Sequence, residues 1–333
     1  MSIANRIGLR VAAAAVASGA IAAGGLAVAA SADASTAAVS SQPSATYHFQ
    51  TLDNARDVTF NQLLGINDHG LIAGYFGSGA QGHPNKGYLL FPPYGQQRYR
   101  NENFPHSVQT QVTGLNDGGV TVGFWSDMNN ANQVNDNFGF YSLDGRQFHS
   151  VNFPTHDNAT PPVNQLLGVN DSNVAVGFYT DAQGSNHGYT YSIRDHRFSM
   201  VTVPGAAGLS LTAAAISNDG AVAGFYTDAA GVTHGFLRHR SGQFQTLSVP
   251  GASATQALGV NDQDEVVGVY TVGSGSTAMM HGFTWAPGRG FRTVDDPHGI
   301  GTTTVNGVND HGQLVGFYTD GAGNTDGFLA SPR

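Results

Sequence analysis

Past residue 46 the chain alternates short apolar runs with polar, glycine-rich breaks, and one such run recurs six times. It reads GINDHGLIAG at Gly65–Gly74, GLNDGGVTVG at Gly114–Gly123 and GVNDSNVAVG at Gly168–Gly177. The later copies are AISNDGAVAG at Ala215–Gly224, GVNDQDEVVG at Gly259–Gly268 and GVNDHGQLVG at Gly307–Gly316. The closing glycines lie 49, 54, 47, 44 and 48 residues apart, the period of a four-stranded propeller blade.

Each unit parses into four strands, A to D. Strand A ends in Gly-Ile/Val-Asn, and a tight turn follows whose last residue is Gly70, Gly119, Asn173, Gly220, Asp264 or Gly312. These residue types share tolerance of left-handed backbone. Strand B is the apolar run through the closing Gly, strand C begins near a His-Gly-Phe element, and strand D often stops at Pro204, Pro250 or Pro297. Proline lacks a donor and suits a sheet margin. The sixth unit ends after strand C, while Tyr47–Leu52 (YHFQTL) matches the strand D sequence of Gln243–Leu247 (QFQTL). The N-terminal strand is therefore expected to complete the last blade, removing the edge an open array would leave. The expectation is an all-β, six-bladed propeller of four antiparallel strands per blade over residues 47–333.

This pattern resembles the HAF-repeat family of predicted extracellular proteins, whose unit carries Gly-Ile-Asn-x-x-Gly-x-Val-Val-Gly and then His-Ala-Phe. The second element corresponds to His187-Gly-Tyr, His234-Gly-Phe and His281-Gly-Phe. The chain departs with Gly in place of Ala, and with Lys86, Phe138 and Asp326 at the His position. The resemblance implies secretion and a propeller, and it transfers no catalytic residue.

Targeting agrees with secretion. Arg6 and Arg10 precede an apolar run over 11–30 and a small-x-small exit at Ala32–Ala34, so residues 1–34 read as a secretory signal peptide and 35–46 as a flexible leader. After cleavage no membrane association is expected. Composition narrows the chemistry. There are 14 Lys and Arg against 23 Asp and Glu, with a formal net charge of −9, which leaves no basic stripe for nucleic acid. No Cys is present, so disulfides and thiolate chemistry are excluded. No nucleophile elbow, phosphate-binding loop or His-Glu-x-x-His motif occurs.

Loops D-to-A and B-to-C of such a ring share the face that surrounds the channel mouth, and loops carry function. This face is expected to hold His83, His106, His156, His187, His234, His281 and His298, whereas His69, His196, His239 and His311 fall on the opposite face. Strand A offers a polar collar of Gln62, Gln111, Gln165, Thr212, Gln256 and Thr304. It reads either as a ligand-binding ring or as the polar wall of a water-filled channel. Phe76, Trp125, Tyr179, Tyr226, Tyr270 and Tyr318 form an aromatic row, either a platform for sugar rings or interblade packing. Thr-Asp-x-x-Gly loops at Asp181, Asp228 and Asp320 read as carboxylate arrays or as ordinary Asx turns. The symmetry breaks point to two loops, which make Arg56 with Asp57 and His156 with Asp157 the catalytic candidates. No cofactor or metal is required; Ca²⁺ is the candidate ion, since symmetric loops could supply oxygens.

Two functions remain open at this level. One is a secreted, monomeric binding propeller taking a glycan, peptide or small molecule through Gln62, Gln111, Gln165, Gln256, Trp125, Tyr179 and Tyr226. The other is an extracellular hydrolase or lyase acting on carbohydrate or a small ester at the same face.

Overall fold

The computed structural model describes residues 47–127, 136–204 and 210–333. The expected signal peptide and leader lie outside these residues, as does most of the Asn-rich loop after Ser126.

The chain is all-β, and each repeat becomes an antiparallel meander. Ahead of the first repeat stands β1 (Tyr47–Thr51). Repeat I forms β2 (Asn61–Ile66), β3 (Ile72–Phe76), β4 (Lys86–Leu90) and β5 (Tyr99–Asn101). Repeat II forms β6 (Gln109–Leu115), β7 (Thr121–Ser126), β8 (Phe138–Ser142) and β9 (Phe148–Val151). Repeat III forms β10 (Asn164–Val169), β11 (Val174–Thr180), β12 (Asn186–Ser192) and β13 (Arg197–Met200). Repeat IV forms β14 (Leu211–Ile216), β15 (Val222–Thr227), β16 (Thr233–Arg238) and β17 (Phe244–Leu247). Repeat V forms β18 (Ala254–Val260), β19 (Val266–Val272), β20 (Met279–Ala286) and β21 (Gly290–Val294). Repeat VI has three strands of its own, β22 (Thr303–Val308), β23 (Leu314–Thr319) and β24 (Thr325–Pro332).

These strands form four sheets of four and one of eight. The large sheet joins meanders IV and V through one parallel bridge, Thr233 to Ala254. In repeat VI the fourth strand is β1, which pairs with β24 from Tyr47–Pro332 to Thr51–Phe328. The N–H of Leu52 then donates to the carbonyl of Gly327 at 2.8 Å. The strand missing from the last repeat is thus supplied by the start of the domain.

Turn chemistry follows the sequence reading. Gly70, Gly119, Asn173, Gly220, Asp264 and Gly312 all have φ between +57° and +91°. The Asn-Asp pair before them has a role the sequence did not disclose. The Oδ1 of Asn67, Asn116, Asn170, Asn261 and Asn309 caps its own turn. The Nδ2 of each donates to a carbonyl of the next repeat, at 2.9–3.2 Å. One residue on, the N–H of Asp68 donates to Asp117 Oδ1, and the pattern passes through Asp171, Asn218, Asp262 and Asp310 back to Asp68 at 2.6–3.0 Å. Six repeats are stitched at this end by one returning circuit of hydrogen bonds.

Apolar packing is distributed in the same way. The larger clusters each span two consecutive repeats, and one joins Leu52, Leu63 and Tyr88 to Val315 and Leu329, from the first repeat and the last sheet. Each innermost strand carries a bulge, as between Leu63 and Gly65. The glycine after it allows close approach: a Cβ on Gly65 would stand 3.2 Å from the Cα of Gly114.

Candidate functional site

Each sequence-predicted group has a definite place. Much of the polar collar is used between repeats. Gln111 Nε2 donates to Asn85 Oδ1 at 2.9 Å, Gln165 Nε2 to Asn137 Oδ1 at 3.5 Å, and Asn186 Nδ2 donates to Thr212 Oγ1 at 3.1 Å. Gln62 is fully buried, and its Oε1 accepts from the Tyr75 hydroxyl; Gln256 is half-buried. Where the innermost strands come together, Leu64, Ile66, Leu167, Val169, Leu258 and Val260 line the space with Thr113 and Asn306.

The aromatic row is packed. Trp125 stacks on Phe104 at 4.4 Å, and Tyr179 lies between Phe153 at 4.7 Å and His187 at 4.8 Å. Tyr226 and Tyr270 reach across to the outer strand, bonding Thr246 at 3.1 Å and Thr293 at 2.8 Å. Tyr318 does the same with Thr51 of β1 at 2.9 Å, so the N-terminal strand receives the hydrogen bond proper to a fourth strand.

The catalytic candidates do not pair as sequence adjacency suggested. Arg56 donates to Asn101 at 3.4 Å, whereas Asp57 is held by His83 at 2.7 Å and by Thr59. His156 and Asp157 are both exposed, and Asp157 accepts the N–H of Ala182, bracing a neighbouring loop. Arg56 lies in a turn closed by the Asp57 N–H on the Asn54 carbonyl, and His156 and Asp157 both stand exposed at a bend, so neither pair closes.

The Thr-Asp-x-x-Gly loops are turns. The N–H groups of Gly184, Gly231 and Gly323 donate to the carbonyls of Asp181, Asp228 and Asp320. The second carboxylate oxygen takes the histidine that opens the next strand: His187 Nε2 lies 2.7 Å from Asp181, and His234 Nε2 lies 3.0 Å from Asp228. His234 also bonds Ser248, leaving neither ring nitrogen free. In repeat V, His281 bonds Asp295 at 2.8 Å. The histidines of the repeat are staples holding the B-to-C loop or the outer strand to strand C. His234 and the loop amides hold the Asp228 carboxyl below its ordinary value.

Repeat VI breaks this rule, and a different site results. Opposite Tyr318, where Tyr179, Tyr226 and Tyr270 face His187, His234 and His281, stands Asp326. Asp53 occupies the position of Ser248 and Asp295 and accepts the N–H of Gly327 at 2.9 Å. Asp296 takes the place from which Phe104 and Phe153 cover Trp125 and Tyr179. Its Oδ1 receives the His298 backbone N–H at 2.8 Å and lies 3.1 Å from Nδ1. Asp296 is 3% exposed, and its Oδ2 is buried without a partner.

The charges of three carboxyls thus act on the Tyr318 hydroxyl. Burial raises Asp53 to about 7, with the Asp326 and Asp320 charges adding and the Gly327 N–H opposing. Burial also raises Asp326, with the Asp320 and Asp296 charges adding, and burial raises Asp296. Tyr318 is pushed up to about 12, by burial first and then by Asp326, Asp296 and Asp53. Among the described residues no Lys or Arg ion-pairs with these carboxyls, and His298 is the one basic group bonded to them. No group of three or more His, Asp or Glu among the described residues is placed to hold a metal ion, so the Ca²⁺ expectation finds no site there. Clustered carboxyls with raised pKa mark a functional-site candidate. Asp326 was visible in the sequence as a departure from the repeat. Its meeting with Asp53 depends on β1 closing onto β24, and Asp296 differs from Phe only when the loops are superposed.

No protein-family model matches the sequence, and no curated protein matches it. Solved structures are similar in fold. The SapL1 lectin in complex with α-methyl fucoside aligns at TM-score 0.51 and 9% identity, over 79% of this chain and 89% of that one. Virginiamycin B lyase from Staphylococcus aureus, in a catalytically inactive variant with quinupristin, aligns at 0.47 and 9%, over 85% and 99%. A polysaccharide lyase, an ulvan lyase, aligns at 0.42 and 14%, over 75% and 74%. At these identities the likeness concerns architecture: the chain is an all-β protein with a fold of the propeller type.

Proposed function

We propose that the chain is a secreted, six-bladed HAF-repeat propeller of residues 47–333, released from its signal peptide near residue 34. In this reading β1 closes the ring, and the protein works as a monomeric binding protein for a glycan or small molecule. The ligand sits at the junction of β1, β23 and β24, on the face of the D-to-A and B-to-C loops. One observation carries the reading: at this junction the histidine of the repeat's staple is replaced by a carboxyl, Asp326, with those of Asp53 and Asp296 nearby. One of them, Asp296, keeps a buried oxygen without a partner. A carboxylate pair accepts two hydroxyls of a sugar as readily as it accepts other donors. The six apolar interfaces and the returning circuit of turn hydrogen bonds support the closed ring.

A glycan panel presented to residues 35–333 tests the reading, beside an Asp53→Asn/Asp296→Asn double variant and a His196→Ala control on the opposite face. The double variant is expected to weaken any binding about ten-fold or more, as loss of two buried acceptors should. A loss confined to the His196 variant would place the site on the other face.

Asp53 favours a second reading. A carboxyl that holds its proton near neutrality is suited to general acid catalysis, and a second carboxyl beside it meets the need of a carbohydrate-cleaving enzyme for a pair. The same panel, assayed for new reducing or unsaturated ends, separates this hydrolase or lyase from a binding protein.

A further inference from the structure

Repeat IV holds a line of three side chains that the carboxyl junction does not use. Asp228 Oδ2 lies 3.0 Å from His234 Nε2, and Ser248 Oγ lies 2.9 Å from His234 Nδ1. An acid, an imidazole and a hydroxyl are thereby joined in series. Every other repeat breaks the line. Repeat III keeps Asp181 and His187, but Thr202 stands at the position of Ser248, and among the described residues no hydrogen bond joins it to His187. Repeat V keeps His281 and puts Asp295 in the place of the serine, while Val272 stands where the loop aspartate would be. Lys86, Phe138 and Asp326 replace the histidine in repeats I, II and VI.

The proton positions follow from the acceptors. Asp228 Oδ1 takes the N–H groups of Ala230 and Val232, each at 2.9 Å, which leaves Oδ2 for the ring. His234 and these amides hold the carboxyl below its ordinary value, so it is ionised and can only accept. His234 Nε2 then carries the ring proton, and Nδ1 presents its lone pair to Ser248. The Ser248 hydroxyl thus donates to a base whose far side is anchored by a carboxylate, the arrangement that activates a serine. Tyr226 flanks the imidazole, with ring centroids 5.5 Å apart, and bonds Thr246 of β17, two residues before Ser248. Ser248 is exposed and the His234 side chain is 23% exposed, so a reactant reaches the hydroxyl while protein covers most of the imidazole.

We infer that Ser248 is a nucleophile, with His234 its general base and Asp228 the group that positions the base, and that this site cleaves small carboxylic esters. Ser248 Oγ bonds to the acyl carbon as its proton passes to His234 Nδ1, and the alcohol leaves with that proton. Water then attacks the acyl-serine and gives its proton to Nδ1. The carboxylic acid departs as Ser248 recovers a proton from the ring. The loop that carries Asp228 also presents Val232, 38% exposed, and an open surface of this kind suits a short acyl chain. The site stands on repeat IV, apart from the carboxyls of repeat VI, and goes beyond the binding reading.

The test uses p-nitrophenyl acetate and an alkyl fluorophosphonate on residues 35–333. Nitrophenol release is expected to fall about 100-fold in Ser248→Ala. The fluorophosphonate, losing fluoride as its phosphorus bonds Oγ, is expected to label Ser248 well ahead of the exposed Ser241, as read from peptide masses. His234→Ala should slow labelling about 100-fold, and added imidazole should restore part of it, which it would not do for a merely loosened fold. Asp228→Asn keeps an oxygen for the loop amides but turns an N–H₂ group toward the ring, so the ring proton moves to Nδ1 and the base no longer faces the serine. That variant is expected to melt as wild type, to show the exchanged tautomer in the ¹⁵N shifts of the His234 ring, and to label about 100-fold more slowly. Ser248 labelled no faster than Ser241, ester cleavage that survives Ser248→Ala, or labelling unchanged in both His234→Ala and Asp228→Asn would overturn the inference. The Asp53/Asp296 variant should leave labelling unchanged, so this site and the carboxyl junction can each fail alone.

Discussion

A single proton at Asp53 links the junction to stability. Its pKa rises from 3.8 in the ordinary state to about 7 in the fold. Between those values the folded chain binds more protons than the unfolded one, so stability falls as pH rises through that window. Asp53→Asn keeps the Gly327 hydrogen bond and removes the buried charge. The variant is expected to melt close to wild type near pH 4.5 and several degrees higher near pH 8, in thermal melts across that range. A gap that does not widen with pH would show that Asp53 is not the group responsible. Gly220 poses a purely conformational question. Its φ is +91°, and a Cβ there would meet nothing nearer than 3.8 Å, so any cost comes from backbone strain. Gly220→Val should cost about 1–3 kcal/mol and Gly220→Asn clearly less, as measured by denaturant unfolding. A Val variant as stable as wild type would contradict the left-handed turn.

At the scale of the element, the A-to-B turn shows why some roles are legible in a sequence and others are not. The left-handed position could be read because glycine, Asn and Asp share one local property. The preceding Asn could not, because its amide has two ends and only one of them is local. Asn309 Oδ1 accepts the N–H of Gln313 in its own turn, while Nδ2 crosses to the carbonyl of Asn67. Ser217 tests the distinction. Its Oγ caps its own turn through Ala221 N–H and bonds Asp219, but a hydroxyl on one carbon is too short to reach repeat V. Ser217→Asn is therefore expected to add the missing cross-link and stabilise by about 0.5–1.5 kcal/mol, while Asn309→Ala should destabilise by about 1–3 kcal/mol. Calorimetric melts of the two variants decide it. A Ser217→Asn protein less stable than wild type would mean that the bulged strand at Ala215 holds repeat IV too far from its neighbour. The candidate site was legible only in part for a related reason. Asp326 stood out against the histidines of the repeat, but His156 and Arg56 stood out equally, and only the pairing of strands distinguishes a buried break in symmetry from an exposed one.

On the scale of the whole molecule, the architecture was the most legible feature, because it is written six times and the missing last strand reappears at the front. What closure does to chemistry was not legible. Tyr47–Thr51 brings Thr51 to the Tyr318 hydroxyl, Leu52 into the apolar cluster with Leu329, and Asp53 to Gly327. One short segment thus completes a sheet, an interface between the first and last repeats, and the carboxyl cluster. Removing residues 47–52 should expose the full edge of β24, which invites pairing with another chain. The truncated protein is expected to melt at least about 10 °C lower and to form dimers or larger species, since the lost burial and hydrogen bonds amount to several kcal/mol in a domain of this size. Removing residues 35–44 should leave both the melting temperature and the mass in solution unchanged. Light scattering and thermal melts on the two truncations give the answer, and a synthetic peptide of residues 47–53 added in excess should restore the melting temperature of the shorter form. Equal melting temperatures for the two truncations would show that the fold does not depend on its first strand. Without that dependence, the meeting of Asp53 with Asp326 would lose its structural cause.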